Sequence, residues 1–425
     1  MSTVKMSKRP TPLRINDLRV PELPDFVLGL FAAAAQTPVD LCISSVQHAV
    51  EDQTGLTAYQ DPGYLERMGV LLEAMAADSD LSPFGRLNNY NIMVRYAAQR
   101  SRLEDLYVKH PEIEQTEIRQ PIIIAGLPRS GTTHLLNLIS VDRRLRSLPY
   151  WESIEPFPAN ASPCEFNPDD PRVLQCREQL SVQDVIMPLF KNMHDMSPQH
   201  THEEIELMGL DFSMMLFENY ALMPEWRDYF VSHDQIEHYR FLKRCLKALQ
   251  WLRGPERWIM KSPQHLEQLP QLLKVFPDAS FVLTHRDPVS VTVSLLTMLS
   301  YSARLSRDPV RPDDIAQYWV DRVERMLQGC VNGVDCLPQE RTSQVLFHEF
   351  MANDVATVER IYDRAGHPMT REIRAAMQGY MRDNPRGKYG QIEYDLMGDF
   401  GLESAALYER YGFYTNRFGV RLENR

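Results

Sequence analysis

Residues 121–140, PIIIAGLPRSGTTHLLNLIS, constrain this chain more than any other stretch. A short unbroken apolar run reads as a strand buried on both faces, and the segment after it opens a helix. Between them lies Gly126-Leu127-Pro128-Arg129-Ser130-Gly131-Thr132-Thr133, with the P-loop spacing of four residues between its glycines. Backbone N–H groups of such a loop, with the positive end of the helix that follows, make a ready anion site. An ATP-binding loop demands Gly-Lys-Ser/Thr after the four residues. Here Thr132 stands where that lysine would be, and the cation has moved forward to Arg129. The site is therefore expected to hold a phosphate-like group other than the γ-phosphate of ATP.

The surrounding pattern predicts the fold class. Apolar runs at residues 122–125, 258–260, 281–284 and 345–347 read as buried parallel strands. Helical spacing at 266–275, 289–299 and 313–329 lies between or after them. This alternation predicts an α/β domain over 119–425, a P-loop NTPase-like central parallel sheet flanked by helices, with its ligand site at one edge of strand ends. Residues 1–118 lack strand-like runs and are expected to form a helical N-terminal region, with helical patterns at 24–50, 64–77 and 85–106. Packing is the plainer account of that region than covering the site or mediating assembly. The segment 157–255 is polar and Pro-rich in its first half and is expected to be a largely helical insertion shaping an acceptor pocket.

Charge and composition narrow the partners. The formal net charge of −11 argues against nucleic acid, which needs a basic surface, yet a small anion can still bind a local basic pocket. No run approaches the 18 or so apolar residues of a membrane span. The N-terminus, MSTVKMSKRPTPLRIND, has no apolar signal region, so export is not expected. Six cysteines without a Cys-x-x-Cys pair read as scattered thiols of a reducing cytoplasm.

A second anion signal follows the third strand. Phe281-Val282-Leu283-Thr284-His285-Arg286-Asp287-Pro288 ends a strand in an arginine, and Ser294 follows Arg286 by eight residues on the next helix. A guanidinium and a hydroxyl so placed can converge on one phosphate. Asp287 is a conceivable metal ligand, but its neighbour Arg286 makes a divalent cation unwelcome, and no metal is expected.

With these two elements the chain resembles the sulfotransferases that use 3′-phosphoadenosine 5′-phosphosulfate (PAPS), most of all the bacterial branch related to tyrosylprotein sulfotransferases. The resemblance covers roughly residues 120–300 well and the C-terminal third loosely. It implies that Arg129, Ser130, Gly131, Thr132 and Thr133 hold the 5′-phosphosulfate, and that Arg286 and Ser294 hold the 3′-phosphate. It implies a PAPS-dependent transferase that moves a sulfuryl group in line to a hydroxyl of a small-molecule, lipid or carbohydrate acceptor. A homo-oligomer is compatible with it. The late loop Arg386-Gly387-Lys388-Tyr389-Gly390 resembles the family's basic glycine loop against the 3′-phosphate, with Lys and Gly in exchanged order, and brings Gly387 and Lys388 into the cofactor set. Asp399-Phe400-Gly401-Leu402 resembles a tail of the bacterial branch.

The chemistry needs a base for the acceptor and a cation for the leaving oxygen. By resemblance Glu152, in Pro149-Tyr150-Trp151-Glu152-Ser153, is the general base; helix capping or a salt bridge is its plain alternative. Lys261, after the strand Trp258-Ile259-Met260, is placed by the family near the bridging oxygen. His265 is the second candidate base or an acceptor-orienting group. His134 reads as a packing residue near the loop. His194, His200 and His202 with Glu203 and Glu204 look superficially like a metal cluster, but their spacing fits no zinc signature. A polar loop is the plainer reading, and a substrate loop the functional one. Two other functions stay open at this point: a P-loop ATP-dependent phosphotransferase, and a non-catalytic nucleotide-binding protein.

Overall fold

The computed structural model describes residues 12–255, 257–385 and 387–423. Its centre is a five-stranded parallel sheet in the order β2-β5-β1-β6-β7. The strands are β1 (Ile122–Gly126), β2 (Leu145–Arg146), β5 (Arg257–Lys261), β6 (Ser280–His285) and β7 (Thr342–Leu346). A separate antiparallel pair joins β3 (Leu148–Pro149) to β4 (Thr201–His202). β1 lies in the middle because every one of its residues can be buried. Alternate side chains feed opposite faces: Ile122 and Ile124 join one apolar cluster with Leu135, Val282 and Ile361, while Ile123 and Ala125 join the other. Helices cover both faces, so the chain is α/β, as its alternating pattern predicts.

Register sets up the site. Ile124 of β1 pairs with Lys261, and Gly126 pairs with Thr284. The loop after β1, the Lys261 end of β5 and the Arg286 end of β6 thus meet at the carboxyl edge of the sheet.

Several boundaries differ from the sequence reading, each for a local reason. β2 is only two residues long, too short to leave a periodic signal. β7 ends at Leu346, and Phe347, read as a strand residue, opens the helix Phe347–Ala352. Residues 24–50 split into Asp25–Ala35 and part of Ile43–Thr54, with Pro38 in the gap. Leu266 belongs to the 3-10 turn Pro263–Glu267, and the helix proper is Leu269–Val275.

The N-terminal helices Pro62–Ala77 and Pro83–Lys109 pack on the 157–255 segment through buried ion pairs. Arg100 and Arg67 reach Oδ1 of Asp211 at 2.5 and 2.9 Å, and His238 meets its Oδ2 at 2.6 Å. Tyr96 donates to Glu206, and Arg95 lies 3.8 Å from the same carboxylate. The largest apolar cluster runs from Ile15 to Val420, so these helices share the core of the sheet. Among the described residues no helix is long and apolar enough to cross a membrane.

Candidate active site

The loop after β1 is shaped by close packing. A Cβ at Gly126 would collide with Thr284 Oγ1 and lie 2.9 Å from Thr132 Cγ2, so only glycine fits. Gly131 takes φ +89°, and a Cβ there would press on the Phe347 ring at 3.1 Å. Arg129 holds φ 68°, an uncommon state for a side-chain-bearing residue. Ser130 Oγ donates to Leu127 O at 2.6 Å and meets Thr284 Oγ1 at 3.0 Å, so its hydroxyl fixes the loop from inside. The helix Thr132–Ile139 then starts at Gly131 with no side-chain cap. Its first N–H groups and its positive end stay available to an anion.

The two anion elements are brought together around Arg129. Its Nε donates to Ser294 Oγ at 3.0 Å, and a guanidinium N–H donates to Met193 O. Arg286 Nη1 donates to Arg129 O at 2.7 Å, and its guanidinium stacks on Phe347 at 4.1 Å. Arg286 also grips Glu423 through Nε and Nη2, at 2.7 and 2.8 Å. It lines a second cavity of about 330 Å³ with Phe347, His348 and Glu423. Asp287 is fully buried and accepts from Val289 N, Ser290 Oγ, Tyr408 and Glu423 N. It caps a helix and ties down the chain end, which leaves it no place for a metal.

A cavity of about 1070 Å³ opens beside the loop helix. Arg129, Thr133 and His134 line it from the loop, and Gly387, Lys388 and Tyr389 from the late loop. Arg386, the first residue of that late loop, lies outside the described residues. Among the described residues six cations line the cavity (Arg129, Arg143, Arg146, Lys191, Arg253, Lys388) against one acid, Asp195. In a chain of net charge −11, that is a local basic pocket. His134 packs on Phe350, ring centroids 5.3 Å apart, with its Nε2 3.6 Å from Asp354.

Lys261 is almost wholly buried beneath this cavity. Its Nζ lies 3.4 Å from Thr133 Oγ1 and pairs with Glu203. Its backbone N–H donates to Glu204 Oε2 at 2.8 Å. The same Glu204 meets His265 Nε2 at 2.5 Å, while Tyr239 meets His265 Nδ1 at 2.9 Å. Burial works against the Glu204 carboxylate, but His265 together with backbone N–H donors, that of Lys261 among them, lowers its pKa. His265 has no exposure and both ring nitrogens engaged, so it braces the floor instead of meeting an acceptor.

Glu152 is likewise buried, with a partner on each carboxylate oxygen. Arg146 Nη2 sits 2.5 Å from its Oε2, and Arg253 holds its Oε1. The two guanidiniums lie over Trp258 and Trp151, at 4.9 Å each. Both arginines line the cavity, whereas Glu152 does not. A carboxylate buried in this clamp anchors two cations, and the plain alternative of the sequence reading describes its geometry.

Two features were read from the sequence only as a polar or substrate loop with a superficial likeness to a metal cluster. One is Glu203, now the partner of Lys261. The other is the face that His194 and His200 present to the cavity beside Thr201 and Thr133. The acidic run after a histidine-rich loop was the visible signal, but only the β3–β4 pairing aims it at the sheet edge.

Comparison with known proteins agrees with this geometry. The sequence pattern of the sulfotransferase family matches residues 121–371. No curated protein matches the chain. Among solved structures, the sulfotransferase STF9 from Mycobacterium avium is similar with a TM-score of 0.81 at 25% identity, over 91% of this chain and 98% of that one. The sulfotransferase STF1 from Mycobacterium tuberculosis H37Rv shares the fold with a TM-score of 0.77 at 23% identity, over 88% of this chain and 99% of that one. A loop cradle without the ATPase lysine, a cationic cavity and a family match over more than half the sequence lead to one statement: the chain belongs to the sulfotransferase family.

Proposed function

We propose that the protein transfers a sulfuryl group from PAPS to a hydroxyl of a small-molecule, lipid or carbohydrate acceptor. The observation that carries this reading is Lys261 beside Thr133, a buried cation at the mouth of an uncapped anion loop. The loop N–H groups, Arg129 and Thr133 would hold the phosphosulfate. Lys261 would leave Glu203 for the bridging oxygen and neutralise it as the S–O bond breaks. A sulfuryl group carries less charge than a γ-phosphoryl group, so the Mg²⁺ clamp of phosphoryl transfer is not required. Ser294 and Arg286 would meet the 3′-phosphate, whereas Gly387 and Lys388, expected beside them, line the larger cavity, which Arg286 does not. For Arg286 this means exchanging Glu423 for that phosphate.

The cavity of about 1070 Å³ leaves room for an acceptor beside the nucleotide, since drug-sized ligands fill roughly 300–1,000 Å³. The test is binding followed by product analysis. Adenosine 3′,5′-bisphosphate should protect the protein against thermal unfolding, and ATP with Mg²⁺ should not. Extracts incubated with ³⁵S-labelled PAPS and the protein should then yield a sulfated product by mass spectrometry. Protection by ATP–Mg²⁺ alone would overturn the reading in favour of phosphoryl transfer.

A further inference from the structure

His194, His200 and His202 form a row that starts at the cavity wall and runs inward. Ring centroids of His194 and His200 are 5.4 Å apart, and those of His200 and His202 are 6.1 Å apart. One ring nitrogen from each lies within 4.8 Å of the others. His194 and His200 line the cavity that Arg129 and Thr133 also line. His202 lies behind, with Nε2 3.7 Å from Glu206 Oε1. Its Nδ1 is buried without a hydrogen-bond partner among the described residues.

The backbone pins this row in place. Tyr150 N donates to His200 O at 2.9 Å, His200 N donates to Ser197 O at 3.0 Å, and His202 pairs with Leu148 across β3 and β4. Such rigidity is what a proton acceptor needs, because its nitrogen must meet a hydroxyl at a fixed place. The two carboxyl or imidazole groups expected from the sequence as bases, Glu152 and His265, are both committed elsewhere.

We propose that His200 is the group that takes the proton from the acceptor hydroxyl, with His202 and Glu206 as the pair that positions its ring. The step balances simply. The acceptor oxygen bonds to sulfur as its proton moves to a His200 ring nitrogen. The bond from sulfur to the 5′-phosphate oxygen breaks, and adenosine 3′,5′-bisphosphate leaves with the electron pair. His200 then gives its proton to solvent. This inference rests on the PAPS reading given above.

Charge around the row supports the assignment. The titratable and charged groups facing it are Lys261 at the end of β5, Arg129 in the loop, Glu203 and Glu206 on its own segment, and Tyr150, whose ring is 4.7 Å from His202. Burial, then the charges of His202 and Lys261, bring His200 down to about 3. His194 is also held well below its usual value, by burial first and then by the other histidines, Lys261 and Arg129. In the free protein His200 is therefore neutral and a weak base. An anionic phosphosulfate against Lys261 and Arg129 would cancel the lowering of His200 by Lys261, the last of its three causes after burial and His202, and so raise its pKa. Donor binding would thus prepare the base. The same two cations oppose a divalent metal in the row.

Calorimetry with adenosine 3′,5′-bisphosphate at pH 4.5, in two buffers of different ionisation enthalpy, tests this directly. The intact protein should take up more protons on binding than His200→Gln does, by about a fifth of a proton or more for a rise of one unit from about 3. Ring-¹⁵N histidine NMR of the same samples should show the His200 pKa rising by at least one unit. With any acceptor found by the labelled screen, His200→Gln should turn over roughly 10²–10⁴-fold more slowly, with bisphosphate affinity at pH 8 unchanged. Tight bisphosphate binding with no extra proton uptake, or near-normal turnover in the variant, would overturn the base assignment and leave the donor reading standing. Failure to bind the bisphosphate would overturn the donor reading and this inference with it. One-to-one binding of Zn²⁺ that is lost in His200→Gln would overturn it in favour of a metal site.

Discussion

Arg129 Nε donates to Ser294 Oγ across 3.0 Å, and that bond ties the loop after β1 to the helix after β6. The two elements are 165 residues apart in the chain. Their junction brings the two anion elements of the sequence to one edge of the sheet, where Arg286 also donates to Arg129 O.

Arg286→Ala should weaken adenosine 3′,5′-bisphosphate binding by roughly 10- to 150-fold, the worth of about 1.5–3 kcal/mol for a charge-assisted contact. Glu423→Gln should act in the opposite direction, because it releases Arg286 from a bidentate partner. Calorimetry on both variants checks the pair. Equal affinity in all three proteins would remove Arg286 from the nucleotide site.

Lys261→Met should lower turnover by roughly 10²–10³-fold while bisphosphate still binds, since the cation is asked to act on charge that develops only as the bond breaks. Glu203→Gln should spare most of that rate, because its role is to hold the lysine before the donor binds. Steady-state rates with labelled PAPS separate the two variants, and a milder loss in Lys261→Met than in Glu203→Gln would reverse their assigned roles.

Glu152→Gln should behave as a stability variant. Removing one partner of a buried ion pair costs about 3–5 kcal/mol, because the remaining charge is left uncompensated. Here two arginines would lose their partner. The expected readout is a clear fall in Tm. A native Tm with turnover lost would restore Glu152 as the base.

Acid should destabilise the free protein well before its carboxylates titrate. Burial lowers His200 to about 3 and His285 to about 4, while an unfolded histidine titrates near 6.5. The unfolded chain therefore gains protons below about pH 6.5 that the folded protein refuses until about pH 4 and 3. Stability is complete above about pH 6.5 and falls as pH drops towards those values, by up to about 1.4 kcal/mol per unit for each histidine. Thermal melts from pH 7.5 to 4.5 should show the decline, and His200→Gln should make it shallower. A flat profile would contradict the buried neutral state of both residues.

The loop and the strand-end arginine could be paired from the sequence because the parts of each element are local. Gly126 to Thr133 is one continuous stretch, and Arg286 and Ser294 lie within nine residues of each other on a strand and the next helix. The surroundings of Glu152, His265 and the histidines could not be read, because their geometry is made by distant pairings. Glu152 looked catalytic until Arg253, 101 residues away, closed the clamp from the other side. His265 looked available until Tyr239 and Glu204 met its two nitrogens. The histidine row looked like a loop until two short strands, too brief to leave a periodic pattern, turned it towards Thr133. Boundaries slipped for the same reason: Phe347 is apolar enough for a strand, but its ring is needed under Arg286.

The contact of Tyr96 and Arg95 with Glu206 has a consequence for how this molecule can be divided. A piece beginning at residue 119 would keep the whole nucleotide loop and both of its arginines. It would lose the footing of Glu206, and with it the alignment of the histidines in front. Because the N-terminal helices share one apolar cluster with Ile123, Ala125 and Leu283, such a piece would also lose packing behind the loop, so the described residues before 119 belong to the same folded unit as the sheet.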